Sequence, residues 1–187
     1  MIDKHYITAQ ALLEDSFRLA LMILTSGFRP SFIVGVWRGG TPVGIAVQEL
    51  FDAFGVASDH IAIRTSSYTG IGERAKKVRV HGLGYVVRNV NADDPLLLVD
   101  DVFDTGLSLQ AVISNLRERC RRNMPAEVRI ATPWYKPANN QTDLAPDYFV
   151  HQTDRWLIFP HELDGLTRAE ILAHKPGLRA LYEEFGV

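Results

Sequence analysis

Cysteine is almost missing from this chain of 187 residues, with Cys120 as its single representative. One thiol cannot close an intrachain disulfide, so the fold must rest on a packed core, and a reducing compartment suits it. Long apolar runs are missing too. None reaches the roughly 20 residues that span a bilayer, and Met1-Ile2-Asp3-Lys4-His5-Tyr6 lacks the basic-then-apolar order of a secretory signal. The expectation is a cytoplasmic protein with no membrane partner. Charge of one sign is scarce: 20 basic against 22 acidic residues leave a net charge of −2. That balance excludes a general nucleic-acid coat, and no nucleic-acid partner is expected, although net charge says nothing about local patches. Repeats and low-complexity tracts are absent. With 47% apolar and 22% charged residues, the chain reads as one globular domain over 1–187, large enough for a single sizeable core.

Apolar residues recur at helical spacing from Thr8 to Ser26, where Ser26-Gly27 forms a stop. A strand follows over Ser31 to Trp37, then a Gly39-Gly40 turn and a helix with Pro42 just inside its start, running towards Phe54-Gly55. Ile61 to Arg64 reads as a second strand. Thr65 to Lys77 is polar, contains glycine and suits a mobile hairpin, and Val78 to Val87 alternates. Ser108 to Arg119 is amphipathic, while Glu127 to Ala131 and Tyr148 to His151 read as further strands. Strands alternating with helices predict an α/β fold with a parallel-rich central sheet flanked by helices. Cys120 lies among Arg117, Arg119, Arg121 and Arg122. Those cations favour a reactive thiolate, whereas a partly buried helix cysteine has no role, and none is assigned.

The most informative segment is Pro95 to Ser108. Leu96 to Val99 shows no alternation, as a strand buried on both faces of a parallel sheet requires. Asp100 and Asp101 emerge at its carboxyl end, the edge where open α/β sheets bind ligands. Asp104-Thr105-Gly106-Leu107-Ser108 then leads into a helix whose free N–H groups favour a phosphate; Gly106 permits close approach, and Thr105 and Ser108 add hydroxyls. The carboxylates suit magnesium, sugar hydroxyls or proton transfer. The plain alternative is that Asp104 or Thr105 serves only as a helix N-cap. Val36-Trp37-Arg38-Gly39-Gly40-Thr41 repeats the strand, turn and helix order and offers a second anion site, or a simple chain reversal.

Val99 to Ser108 resembles the phosphoribosyl pyrophosphate signature of type I phosphoribosyltransferases. Asp104 stands where 6-oxopurine enzymes of that family carry an aspartate. The resemblance implies a type I fold with a core over about 27–150 and a small hood over about 148–165 joined by terminal segments. It also implies transfer of a 5-phosphoribosyl group to hypoxanthine, guanine or xanthine, with release of pyrophosphate in purine salvage. The implied partners are phosphoribosyl pyrophosphate and a purine base, the implied cofactor is Mg²⁺, and the implied state is a homo-oligomer. By the same resemblance Arg38, Gly39 and Gly40 bind pyrophosphate, in a loop with a cis peptide at Arg38–Gly39. Asp100 and Asp101 hold ribose hydroxyls and the metal, Asp104 is the catalytic base, and Thr105, Gly106, Leu107 and Ser108 hold the 5′-phosphate.

Ser67-Tyr68, with Glu73, Arg74, Lys76, Lys77 and Arg79 after it, corresponds in order to the family's flexible loop. Closure there excludes water from a reactive sugar, while a solvated hairpin is the plain reading. Lys136-Pro137-Ala138 and the later Trp156-Leu157 resemble the base-binding region of bacterial xanthine-guanine phosphoribosyltransferases. That match makes Lys136 a donor to the purine O6, Trp156 a stacking surface and Leu157 a neighbouring base contact. The chain departs from the family pattern at Trp37, at Leu107 and at His161-Glu162. Two alternatives stand beside this reading: a regulator of the same fold that binds RNA or a nucleotide, and an enzyme with another acceptor base.

Overall fold

A computed structural model describes residues 3–69 and 76–186. The chain forms two compact units, one of residues 13–154 and one of residues 1–12 with 155–187. Expected Glu73 and Arg74 lie outside the described residues.

The larger unit is a mostly parallel sheet. Its strands are β2 (Phe32–Trp37), β3 (Asp59–Thr69), β4 (Lys76–His81), β5 (Leu96–Val99), β6 (Val102–Phe103), β7 (Val128–Tyr135) and β8 (Tyr148–Gln152), with β1 (Lys4–Tyr6) belonging to the other unit. The order is β4-β3-β2-β5-β7-β6, and β8 also pairs with β7. Among the described pairs of this sheet only β3 with β4 is antiparallel. This is the parallel-rich sheet flanked by helices expected from the alternation of strands and helices.

Helices cover the two faces. After α1 (Ala9–Thr25), α2 (Gly40–Ala53) packs on β2 and β5, burying Val43, Val47 and Phe51. Its close seat depends on Gly35, where a Cβ would stand 3.2 Å from the Gly40 carbonyl oxygen. On the other face α3 (Gly84–Asn89) and α4 (Leu107–Cys120) bring Leu83, Val86, Leu109, Val112 and Leu116 against Val34, Val36, Leu96 and Leu98. Both faces of β5 are therefore covered, which is why Leu96 to Val99 does not alternate. Cys120 is buried in this layer, and burial raises its thiol above the usual range.

Two expectations need correction. The alternating run to Val87 stops being a strand at His81, because Gly82 turns at φ +92° and Leu83, Val86 and Val90 then bury at helical spacing. Tyr148–Gln152 is a strand of the main sheet in register with β7, so the smaller unit starts after Asp154 rather than near Tyr148.

In the smaller unit β1 pairs in parallel with β9 (Trp156–Ile158), and α5 (Arg168–His174) and α6 (Pro176–Phe185) follow. Thr167 and Glu170 form a capping box at the start of α5. Glu170 also takes the Lys4 ammonium, and this contact with the Thr167 bonds lowers its carboxyl to about 2.

Leu98 is fully buried at the centre of the sheet. Leu98→Ala is expected to cost about 2–5 kcal/mol of stability, seen as a lower denaturation midpoint at unchanged slope.

Candidate active site

The acid pair interrupts a strand without breaking its register. Val99 pairs with Ala131 and Val102 with Trp134, the same offset, so β6 continues β5 along β7. The backbone between stays tied to β7: the Asp100 N–H donates to the Ala131 carbonyl, and Asp101 accepts from the Trp134 N–H. On the other side the pairing ends. Gly35 is the last β2 residue matched to β5, after which β2 departs into the Arg38–Gly40 turn. The sheet opens beside two carboxylates, at the carboxyl ends of parallel strands.

The two turns expected to hold anions meet here. A Cβ on Gly39 would lie 1.7 Å from Asp101 Oδ2, and one on Gly40 would lie 2.2 Å from the Val99 carbonyl oxygen. Backbone and carboxylate occupy that space, so glycine is required at both positions. Arg38 is exposed beside them. The cis peptide of the loop joins Trp37 to Arg38, one residue earlier than expected, directly where β2 ends.

Burial, and then the Asp101 charge, hold the Asp100 carboxyl well above its usual range, offset in part by the Asp101 and Gly40 N–H groups. A divalent cation would relieve both causes. Two hard carboxylates with room for water and substrate oxygens fit Mg²⁺, which seldom uses an all-protein cage. Among the described residues no cluster of three or more potential metal ligands stands here.

The turn expected to hold a phosphate runs from Asp104 to Ser108. Gly106 has φ +76°, and a Cβ there would meet Thr142 Oγ1 at 2.5 Å and the Phe103 ring at 2.8 Å. Thr105 Oγ1 accepts from the Leu107 N–H, and Thr65 Oγ1 of β3 donates to Ser108 Oγ, both at 3.4 Å. Asp100, Asp104, Thr105, Gly106 and Ser108 line a cleft of about 300 Å³. Asp104 is not an N-cap, since Gly106 precedes α4 and no side chain caps it there.

Lys136 directly follows β7 and reaches the Asp104 carboxylate. Its N–H donates to the Phe103 carbonyl, and its Nζ lies 3.3 Å from Asp104 Oδ2. The lysine is 5% exposed, while the Asp104 side chain is 42% exposed. Asn139 Nδ2 donates to Asp104 Oδ1 at 2.7 Å. Asn139, Thr65 and Thr142 were absent from the sequence expectations. Asn139 ends the 3₁₀ turn Pro137–Asn139, in which residues three apart share a side, so it stands on the side of Lys136.

The remaining expected residues lie on other elements. Ser67 is exposed on β3, in the hairpin that pairs Ser67 with Val78, and Tyr68 continues that strand. Trp156 and Leu157 belong to β9 of the smaller unit, the first 56% exposed and the second buried.

The sequence matches the family model described as the phosphoribosyl transferase domain over residues 5–164. The chain belongs to the phosphoribosyl transferase family. This phosphoribosyltransferase enzyme is similar in structure to a purine phosphoribosyltransferase from Pyrococcus horikoshii Ot3, at 27% identity and TM-score 0.67, over 89% of this chain and 99% of that one. A xanthine-guanine-hypoxanthine phosphoribosyltransferase of Helicobacter pylori matches at 21% identity and TM-score 0.68, over 86% and 95% of the two chains. A hypothetical protein from Neisseria gonorrhoeae with bound ppGpp has TM-score 0.76 at 17% identity, over 95% and 98%. No curated protein matches the sequence. The fold of this phosphoribosyltransferase is thus the type I fold of these neighbours.

The raised Asp100 carboxyl gives a pH-dependent prediction. Its proton is held more tightly in the folded chain than in the unfolded one, so its stabilising contribution is present below the ordinary value of 3.8 and is lost as pH rises towards the raised folded one. Asp100→Asn cannot ionise. It is expected to raise the melting temperature of the metal-free protein at neutral pH, by a margin that shrinks towards acid pH.

Proposed function

We propose that this phosphoribosyltransferase transfers the 5-phosphoribosyl group of phosphoribosyl pyrophosphate to a 6-oxopurine, namely hypoxanthine, guanine or xanthine, in purine salvage. The observation that carries the reading is the pairing of the Lys136 ammonium with the Asp104 carboxylate beside the phosphate turn. One edge of a 6-oxopurine presents a carbonyl acceptor at O6 and an N–H donor at N7, and a cation beside a carboxylate is complementary to that edge. An ammonium selects the carbonyl over an exocyclic amine.

In this reading the turn Asp104 to Ser108 anchors the 5′-phosphate through backbone N–H groups and the Thr105 and Ser108 hydroxyls. Asp100 and Asp101 hold the ribose hydroxyls and Mg²⁺, which neutralises charge on pyrophosphate when bound. Arg38, Gly39 and Gly40 present a cation and closely approaching backbone to the leaving pyrophosphate. As purine N9 forms its bond to C1′ and the bond from C1′ to pyrophosphate oxygen breaks, Asp104 accepts the proton from N7. Ser67 and Tyr68 remain proposed contributors to closure over the sugar, and Trp156 and Leu157 remain proposed base contacts on the family resemblance. No helix among the described residues is long and apolar enough to cross a membrane. A cytoplasmic homo-oligomer completes the proposal, supported by the buried lone thiol and by the exposed apolar Trp37, Ile45 and Phe54.

The Neisseria neighbour with bound ppGpp favours a second reading, in which the same anion turns hold a purine nucleotide as effector and no transfer occurs. One panel separates the two: pyrophosphate release from the sugar diphosphate with magnesium and each free base. Turnover with hypoxanthine, guanine or xanthine and little with adenine is expected; nucleotide binding without turnover on any base leaves the second reading.

Two variants sharpen the assignment. Asp104→Asn is expected to lower kcat by about 10²–10⁴-fold while leaving sugar diphosphate affinity nearly intact. Lys136→Met is expected to weaken 6-oxopurines selectively, by about 1–3 kcal/mol for an unpaired carbonyl. Unchanged hypoxanthine kinetics in that variant would remove Lys136 from base recognition.

A further inference from the structure

Both oxygens of the Asp104 carboxylate are taken by donors from a single turn. Asn139 Nδ2 holds Oδ1 at 2.7 Å, and Lys136 Nζ holds Oδ2 at 3.3 Å. The three-residue period of the 3₁₀ turn stacks residue 139 over residue 136, and the Asn139 N–H donates to the Lys136 carbonyl. A carboxylate filled in this way has its nearest acceptor sites occupied by the protein's own donors. Each oxygen keeps a second lone pair, but a proton moving from purine N7 to Oδ2 must share that oxygen with the Lys136 ammonium until the donor leaves.

The two donors are not equivalent. Asn139 is short and neutral, and its backbone is fixed in the turn. Lys136 carries its charge on a flexible four-carbon stem, and its buried ammonium needs an oxygen partner wherever it points. We propose that the two form a lock on Asp104 in which Asn139 is the fixed positioning residue and Lys136 the releasable part. A 6-oxopurine opens it by offering O6 as a new acceptor for Lys136. Oδ2 is then free, and the N7 proton moves to it as N9 bonds to C1′ and pyrophosphate leaves with the electron pair of the broken bond. A purine with no acceptor at position 6 leaves Lys136 on Asp104 and the base occupied. Discrimination then acts on turnover as well as on binding. This inference rests on the reading of Asp104 as the base.

The test is a double-mutant cycle in steady-state kinetics with hypoxanthine. Asn139→Leu keeps the approximate side-chain volume and removes the donor. It is expected to lower kcat about 10-fold with the KM for sugar diphosphate within about 2-fold, and to add less than about 2-fold in an Asp104→Asn background. An equal loss in both backgrounds, or a loss confined to the sugar diphosphate KM, overturns the positioning role. Should Asn139→Leu not fold, Asn139→Asp keeps the shape, replaces the donor and passes through the same cycle. The releasable part is read from Lys136→Met with unsubstituted purine as acceptor: kcat above that of the wild type supports release, and kcat at or below it overturns it. Wild-type turnover by Asp104→Asn alone would instead show that the base assignment has failed.

Discussion

The contact between the Gly39-Gly40 backbone and the acid pair is the constraint on which the larger unit depends. The two turns belong to neighbouring parallel strands, and they come so close that a single methyl on either glycine would overlap Asp101 or the Val99 backbone. Strand pairing from Phe32 to Gly35 holds β2 and β5 side by side until the approach begins. Gly35 then lets α2 settle low enough for its first residues to reach the Asp100 carboxyl, which the Gly40 N–H supports. Two strand-to-helix turns share one crevice because nothing larger than hydrogen stands between them.

That closeness has an electrostatic cost. Asp100 sits where its charge is disfavoured by burial and by its neighbour. The arrangement lowers stability in the absence of a cation and would favour one that came to lie beside the pair, a trade between stability and function common at active sites. Lys136 shows the complementary case, a buried ammonium whose carboxylate partner, Asp104, is half-exposed in the cleft.

Much of this was legible from residues. The signature strand has no alternation because helices cover both its faces, and the glycines at 39, 40 and 106 lie where turns and close approach demand them. The α3 segment was not legible, since Val78 to Val87 carries apolar residues that satisfy a strand period as well as a helical one, and only the turn at Gly82 decides between them. The family resemblance puts Tyr148–Gln152 in the hood, yet its partner is β7, a pairing that no local pattern encodes. Asn139 escaped because an asparagine after Lys-Pro-Ala is an ordinary turn residue until its distance to Asp104 is known.

The shared offset of β5 and β6 along β7 makes the sheet a ruler. Asp100, Asp101 and Lys136 are spaced along the sheet by strand rise, about 3.3 Å per residue, and Lys136 takes its direction from the two-residue alternation of β7. Loops elsewhere absorb added or lost residues easily. Between Val128 and Lys136 they cannot be absorbed: one residue inserted or deleted there reverses every later side chain on the strand and turns Lys136 away from Asp104. A one-residue change of length inside β7 is therefore expected to part Lys136 from Asp104, whereas the same change in a surface loop leaves the pair in place.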